Sequence, residues 1–365
     1  MESLVVNRAF WKGKRVLVTG HTGFKGAWLC LWLTEMGAIV SGFSKEPESE
    51  PSLWKLLGLK DVGHHIGDVC DLGAVERVLD QEQPEIVLHL AAQSLVRRSY
   101  REPLDTIATN VMGVAVLLDA ITRSPSVSAC VIVTSDKCYQ NLEQDRAYTE
   151  TDPMGGHDPY SASKGAAELI AASMRDSFFA PKATNGHRCA IATARAGNVI
   201  GGGDWSEDRL IPDIIRGCMG EDQTVEIRSP NSIRPWQHVL EPLRGYLMLA
   251  EKLASGEPGY TEGWNFGPDP SDTRPVVEVA SAIVNALGQG RLDIAKTAPV
   301  LHEAKLLQLD STKAGKLGWG PNLNFRETID MTASWYGGWV AGRAPAAMCL
   351  EQVNMYMDKC GDNDE

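Results

Sequence analysis

Long unbroken apolar runs are lacking from this 365-residue chain, and no bilayer-spanning helix is expected from them. The longest unbroken run, Ala27–Leu33, falls far short of the roughly 20 residues that a spanning helix needs. Residues 1–15 lack the basic-then-apolar pattern of a secretory leader. Positive charge is in deficit: 35 Lys and Arg stand against 47 Asp and Glu, a formal net charge of −12. Wholesale binding to nucleic acid or to an anionic membrane is therefore not expected, and an anionic substrate has to be met by a local basic pocket. The eight cysteines are scattered, with no C-x-x-C pair and no histidine at zinc spacing. No metal site is expected from them, nor from the adjacent His64 and His65, which a strand would point to opposite faces. The cysteines read as reduced thiols of a cytoplasmic protein.

What is present points to an α/β protein. Arg15–Thr19 is a short apolar run that reads as a buried strand ending at Gly20. Gly20, Gly23 and Gly26 follow in a GxxGxxG pattern, and Ala27–Met36 reads as a helix closed by Gly37. With a second strand at Ala38–Phe43 this makes a βαβ unit. Glycines there allow a tight turn and close approach of a pyrophosphate to a helix N-terminus, whose free N–H groups and dipole favour an anion. The dinucleotide pattern expects a carboxylate at the end of the second strand for the ribose hydroxyls. Here Gly42, Phe43, Ser44 and Lys45 occupy that place. NAD and NADP both stay open on these residues, and Lys45 suits a 2′-phosphate.

The alternation continues. His65–Val69 reads as a third strand, Leu72–Gln81 as a helix and Glu85–Leu90 as a fourth strand leading into Ala91, Ala92, Gln93 and Ser94. Ile107–Ile121 reads as a long helix with Asn110 near its start, and Cys130–Thr134 as a fifth strand ending at Ser135, Asp136 and Lys137. Arg188–Thr193 is expected as a sixth strand, Arg195–Trp205 as a glycine-rich loop, Thr224–Arg228 and Trp264–Gly267 as short strands, and the residues from Gly342 onward as a loosely held acidic tail. The expected fold is a Rossmann-type, doubly wound parallel sheet with a smaller mixed α/β C-terminal substrate domain. The expected divisions are residues 1–194, 195–341 and 342–365. Ligands of such sheets sit beyond the carboxyl ends of the strands, where the polar strand-end residues should converge.

One further motif carries chemistry. Tyr160 and Lys164, four residues apart, share a face of one helix. Asp158 suits the N-cap and Pro159 the first turn. A phenol near pKa 10 is a poor base at neutral pH, and bringing it into range takes roughly 4 kcal/mol of differential stabilisation. A lysine ammonium one turn away is expected to supply part of it.

The early GxxGxxG, AAQS after the fourth strand, TSD after the fifth and YSASK on the next helix together resemble the extended short-chain dehydrogenase/reductases, over roughly residues 12–340. The resemblance implies an NAD site built from Gly20, Thr22, Gly23, Phe24, Lys25, Gly26, Asp68, Val69, Leu90, Ala91, Ala92 and Asn110, with Tyr160 and Lys164 reaching the nicotinamide ribose. It implies Ser135, Tyr160 and Lys164 as a catalytic trio. It implies Ser94, Asn198, Arg209 and Arg234 as substrate-binding residues, the arginine fork suiting a diphosphate. It also implies a homodimer formed through the helices near residues 104–121 and 160–174.

Asp136 and Lys137 after the serine resemble the sugar-nucleotide 4,6-dehydratase branch of that family, whose members carry an acid followed by a second proton-transfer residue. The blocks GHTGFKGAWL, SDKCY, DPYSASK, RAGNVIGGGDW, DRLIPD and SIRPWQHVLEPL carry the same resemblance, and with it a CDP-linked hexose as substrate and a place in deoxysugar synthesis for a surface polysaccharide. Tyr160 is then expected to take the proton of the sugar 4-hydroxyl, Ser135 to hold O4, Asp136 to protonate the departing 6-hydroxyl and Lys137 to take the C5 proton. In an extended loop those two neighbours point apart. The alternatives are an NAD-dependent C4 epimerase or ketoreductase, which needs no elimination, and a dinucleotide-sensing protein without chemistry.

Overall fold

Short apolar runs, buried on both faces, build the centre of the molecule. The computed structural model describes residues 6–144, 146–180, 189–294 and 307–361. Along them run β1 (Arg15–Thr19), β2 (Ile39–Ser44), β3 (Gly63–Ile66), β4 (Ile86–His89), β5 (Ala129–Val133), β6 (Ala190–Ala196), β7 (Asn198–Ile200), β8 (Thr224–Ile227), β9 (Ile233–His238), β10 (Gly263–Phe266), β11 (Thr273–Pro275) and β12 (Arg291–Ile294). Seven of them form a sheet in the order β10-β6-β5-β4-β1-β2-β3, and every neighbouring pair is parallel. The chain starts at β1, moves outward through β2 and β3, then returns to the other side of β1 with β4. The order therefore reverses between β1 and β4, which is where doubly wound sheets open a ligand crevice.

The two-residue period of a strand divides the core in two. Val16 and Val18 of β1 face one layer, with Trp28, Trp32, Leu243 and Leu247, while Leu17 faces the other, with Val75, Leu79, Leu117 and Ala167. In β5, Val131 and Val133 join the first layer and Cys130 and Ile132 the second. Helices therefore cover both faces. Beyond the main sheet, β9 pairs antiparallel with β11 and parallel with β7, and β8 pairs parallel with β12.

Several expectations need correction. The third strand stops at Ile66, before Asp68. The Asp68 side chain accepts a hydrogen bond from Cys70 N at 2.9 Å and turns the chain out of the sheet. The segment expected as a loop from Arg195 holds the end of β6 and all of β7, because Val199 and Ile200 are buried and pair with β9. The expected sixth strand began at Arg188, which lies outside the described residues. The long helix is Pro103–Ile107, a π-turn at Ala108–Met112 and Gly113–Ile121 in continuous sequence. By length and composition alone this run would suffice to cross a bilayer, yet Val114, Leu117, Leu118 and Ile121 pack on the sheet as in a core helix.

The expected loose tail is a helix, Pro345–Cys360. Met348, Cys349, Gln352, Val353, Tyr356, Met357 and Cys360 recur at helical spacing and are buried. Tyr356 Oη donates to Glu241 Oε2 at 2.7 Å, and Trp32 Nε1 donates to Met357 Sδ at 3.2 Å. A stripe of that kind is docked against the first core layer.

Candidate active site

The strand ends meet at a cavity of about 1130 Å³. Its first wall is the glycine loop. Gly20 has φ +73°, and a Cβ there would lie 2.7 Å from Ala91 N, so only glycine lets the β1 and β4 ends come this close. A Cβ on Gly26 would lie 2.2 Å from Gly20 O, which seats the Phe24–Glu35 helix tightly on the loop. That helix starts at Gly23 with no side-chain cap, leaving its first N–H groups to face the cavity. A close-approach loop opening a long helix fits the pyrophosphate of a dinucleotide. Thr22 Oγ1 lies 2.8 Å from Ser44 Oγ and donates to Lys45 O at 2.9 Å, tying the loop to the end of β2. Behind the loop, His21 Nε2 meets His64 Nδ1 at 2.7 Å, while His65 Nε2 faces Glu82 at 2.8 Å.

The second wall is the β5 end and the helix after it. Asp158 caps the Pro159–Met174 helix by accepting from Ser161 N at 2.9 Å, with Pro159 in the first turn, as its sequence suggested. Tyr160, Lys164, Ser135 and Asp136 all line the cavity and are all buried. Ser135 Oγ donates to Asp136 Oδ1 at 2.9 Å. Burial pushes the Asp136 carboxyl up, against the opposing pull of Lys137, Ser135, Arg234 and Lys25. Gly197 lies alongside: a Cβ there would come within 3.1 Å of Asp136 Oδ2. Asp136 and Lys137 do not lie in an extended loop. They open a 3₁₀ turn, Asp136–Cys138, capped by Ser135 Oγ, which accepts from Lys137 N at 3.2 Å. Successive residues of such a turn diverge by about 120°. The two side chains thus still leave in different directions, and the partly exposed Lys137 also lines the cavity.

The expected low phenol is not what the protein alone provides. Burial raises Tyr160 to about 12, with a hydrogen bond to Ser135 working the other way. Burial lowers Lys164 to about 8, and the nearby Glu168 resists that fall. The Lys164 ammonium donates to Val133 O at 3.4 Å. Lys25 is lowered to about 7 by loss of solvent and by Arg209 and Lys164, and its Nζ lies 3.3 Å from Tyr246 Oη.

A buried network behind this wall escaped the sequence reading. Glu168 accepts from Arg195 Nε at 2.9 Å, Arg195 Nη2 at 2.7 Å, Thr193 Oγ1 at 2.6 Å and Thr134 Oγ1 at 2.5 Å. Burial would raise its pKa, but Arg195 and the hydroxyls bring it down overall. Arg195 Nη1 also donates to Tyr139 Oη at 2.6 Å. The signal was available: Glu168 repeats the four-residue step from Tyr160 to Lys164 on the same helix face.

The third wall is basic. Arg209 reaches Ser94 Oγ at 3.0 Å and Asp204 Oδ2 at 3.4 Å. Asn198 stands on β7 and the buried Arg234 on β9, both on the cavity wall. Arg228, unmarked in the sequence, adds a further cation there, held by Asp208 at 2.9 Å and Asp213 at 3.0 Å. Asp68, Val69, Leu90, Ala91 and Ala92 line the cavity too. Asn110 does not. It is buried behind the wall, where Nδ2 donates to Gln93 O at 2.9 Å and Ser163 Oγ at 2.8 Å, and Oδ1 accepts from Gln93 N at 2.8 Å. Its place is to tie the β4 loop to the Tyr160 helix.

This arrangement has close counterparts. Residues 17–332 match the family model described as GDP-mannose 4,6 dehydratase. The chain is 46% identical over 355 residues to a CDP-glucose 4,6-dehydratase of Salmonella typhimurium, covering 97% of this chain and 99% of that one. Among solved structures, a dTDP-glucose 4,6-dehydratase of Bacillus anthracis in complex with NAD superposes with a TM-score of 0.75 at 19% identity, covering 92% of this chain and 100% of that one. A UDP-glucose 4-epimerase of Thermotoga maritima with UDP-glucose gives 0.76 at 21% identity, covering 89% and 99%. These two share the fold, and the Salmonella relative shares nearly half the residues as well. With the family model spanning most of its length, the chain belongs to the GDP-mannose 4,6-dehydratase family.

Proposed function

We propose that the chain is an NAD-dependent hydro-lyase that converts CDP-glucose and releases water to give CDP-4-dehydro-6-deoxyglucose. The observation that carries this reading is the buried Asp136, bonded to Ser135 and followed by Lys137, on the same cavity as Tyr160 and Lys164. An epimerase or ketoreductase has no use for that acid and base. The nucleotide follows the 46% identical relative, which is named for CDP-glucose.

NAD, held by the glycine loop and the strand-end residues Ala91 and Ala92, would supply reversible hydride acceptance between C4 and C6 of the sugar. The chain supplies placement and proton movement. Tyr160 takes the 4-hydroxyl proton, and Ser135 donates to O4 as it becomes a carbonyl. Lys164, at about 8, is still mostly an ammonium at neutral pH, and it sits one turn from Tyr160 to favour the phenolate. The new carbonyl acidifies C5–H, whose proton Lys137 takes. Asp136, whose carboxyl burial pushes up toward the protonated form, gives its proton to the leaving 6-hydroxyl, so water departs and a double bond joins C5 and C6; as hydride arrives at C6, Lys137 returns the proton to C5. Arg209, Arg234 and Arg228 offer guanidinium forks to the diphosphate.

The chain works as a homodimer in this proposal. Leu104 is 80% exposed, with Ile107 and Met112 exposed after it in sequence, and Leu169 on the other expected helix is 61% exposed; self-association would cover these apolar side chains. We place the reaction in the cytoplasm, where the eight free cysteines stay reduced.

The test is incubation of the purified protein with NAD and, in parallel, CDP-, dTDP-, GDP- and UDP-glucose. CDP-glucose should be consumed fastest and yield a 4-keto-6-deoxy product. Consumption of none, or recovery of a C4 epimer, would overturn the reading.

A further inference from the structure

The end of β2 carries Ser44 and Lys45 where a ribose-binding carboxylate is expected, and Lys45 by itself would favour the 2′-phosphate of NADP. The structure surrounds that lysine. Lys45 Nζ lies 3.1 Å from Asp68 Oδ2, beyond the end of β3, and 3.9 Å from Asp105 Oδ1, on the Pro103–Ile107 helix. All three residues line the cavity beside the glycine loop. Arg98 Nη2 lies 3.9 Å from Asp105 Oδ2, while its Nη1 and Nε are engaged at 2.7 Å by Glu48 and Glu102. The cluster thus sets the two cations Lys45 and Arg98 against the four carboxylates of Asp68, Asp105, Glu48 and Glu102.

We infer that Asp68 and Asp105, bridged by Lys45, replace the missing strand-end acid and make the site select NAD over NADP. The lysine acts as a strut that gathers two carboxylates from separate elements toward the ribose edge. A 2′-phosphate, carrying roughly 1.5 to 2 negative charges, would enter a cluster whose charge is already net negative. The Lys45 ammonium that would meet it is committed to Asp68 and Asp105, and Arg98 to Glu48 and Glu102. Burial would lower that ammonium, but the bond to Asp68 and the two carboxylate charges raise it overall, in keeping with a filled ion-pair site. The proposal rests on the dinucleotide reading above and adds how this chain tells the two dinucleotides apart.

Titration calorimetry of the intact protein with NAD and with NADP, at low and at moderate salt, tests it without any turnover. Wild type should bind NAD at least about tenfold more tightly than NADP, since like charges at a site disfavour the wrong partner. In the D68N/D105N variant Lys45 is released, and NADP should tighten by about tenfold, with a steep loss of that gain as salt rises. K45M keeps both carboxylates and should keep the preference for NAD. The groups are only partly buried, so these variants are expected to fold, and D105N alone should move the ratio in the same direction. Equal binding of NAD and NADP by wild type would overturn the proposal alone. So would an unchanged ratio in D68N/D105N, or a K45M variant that loses NADP binding selectively. Failure to bind either dinucleotide would overturn the dinucleotide reading with it.

Discussion

Glu168 closes on Arg195 with two hydrogen bonds, one to each carboxylate oxygen, at 2.9 and 2.7 Å, and does so one helical turn beyond Lys164. The pair is a buried charge lock behind the cavity wall, and Lys164 feels its negative half. In E168Q the support for the Lys164 ammonium is gone, and its pKa should fall further below about 8. An ammonium that is needed for activity is then lost at lower pH, so the alkaline limb of the kcat/KM profile should move toward acid. A purely structural role would leave the limb in place. Truncation to alanine strands Arg195 and should cost about 3–5 kcal/mol of stability, read from chemical denaturation.

Lys137 and Asp136 can be separated by what stops. K137A should still bind NAD and still oxidise C4, but exchange of the C5 hydrogen with solvent deuterium should cease, with turnover down by roughly 10²- to 10⁴-fold. Mass spectrometry of recovered substrate and product reads it directly. Unchanged exchange removes Lys137 from the role of base.

D136N keeps the size of the side chain and can keep the contact with Ser135, but it has no proton to give. Here C5 exchange should persist while water loss slows by roughly 10²- to 10⁴-fold. Loss of exchange and water release together, in equal measure, would mean that Asp136 serves an earlier step.

Glu241 yields a pH prediction far from the chemistry. It is buried where the Leu240–Ala254 helix meets the last helix, accepting from Asn322 N at 2.8 Å, Leu323 N at 2.6 Å and Tyr356 Oη at 2.7 Å. Burial raises it to about 7, against the pull of those bonds and of Arg244. A raised folded-state pKa means that its contribution is full below the unfolded value near 4.5 and is lost as pH rises through about 7. The loss amounts to about 3 kcal/mol. Thermal melts at pH 5 and pH 8 should therefore show wild type losing ground to E241Q at the higher pH. A constant gap between the two would contradict the assignment.

Much of this was legible along the chain because its signals are local. The glycine spacing after Arg15–Thr19 placed the loop, and Asp158 and Pro159 placed the start of the Tyr160 helix where it is found. Asp136 and Lys137 were picked out by their resemblance to the dehydratase pattern, and both line the cavity. What stayed hidden depends on contacts distant in sequence. β10 joins the main sheet by pairing Gly263–Phe266 with residues 193–196 of β6, and a run of four residues cannot announce such a partner. Asn110 has a side chain suited to a ligand, but Gln93 and Ser163 satisfy it behind the wall. Tyr160 sits above the ordinary phenol range because burial outweighs its neighbours, and burial is a property of the assembled fold. The last helix was missed for a different reason. Its stripe from Met348 to Cys360 was present, but the small residues before it and the acids after it dominated the composition.

The central claim is that one sugar carbon lends a hydride and another on the same molecule receives it. CDP-glucose labelled with deuterium at C4 tests this directly, with unlabelled NAD and product analysis by NMR. The label should appear at C6 of the 4-keto-6-deoxy product, with NAD unconsumed. Label retained at C4, in either configuration, would contradict the account.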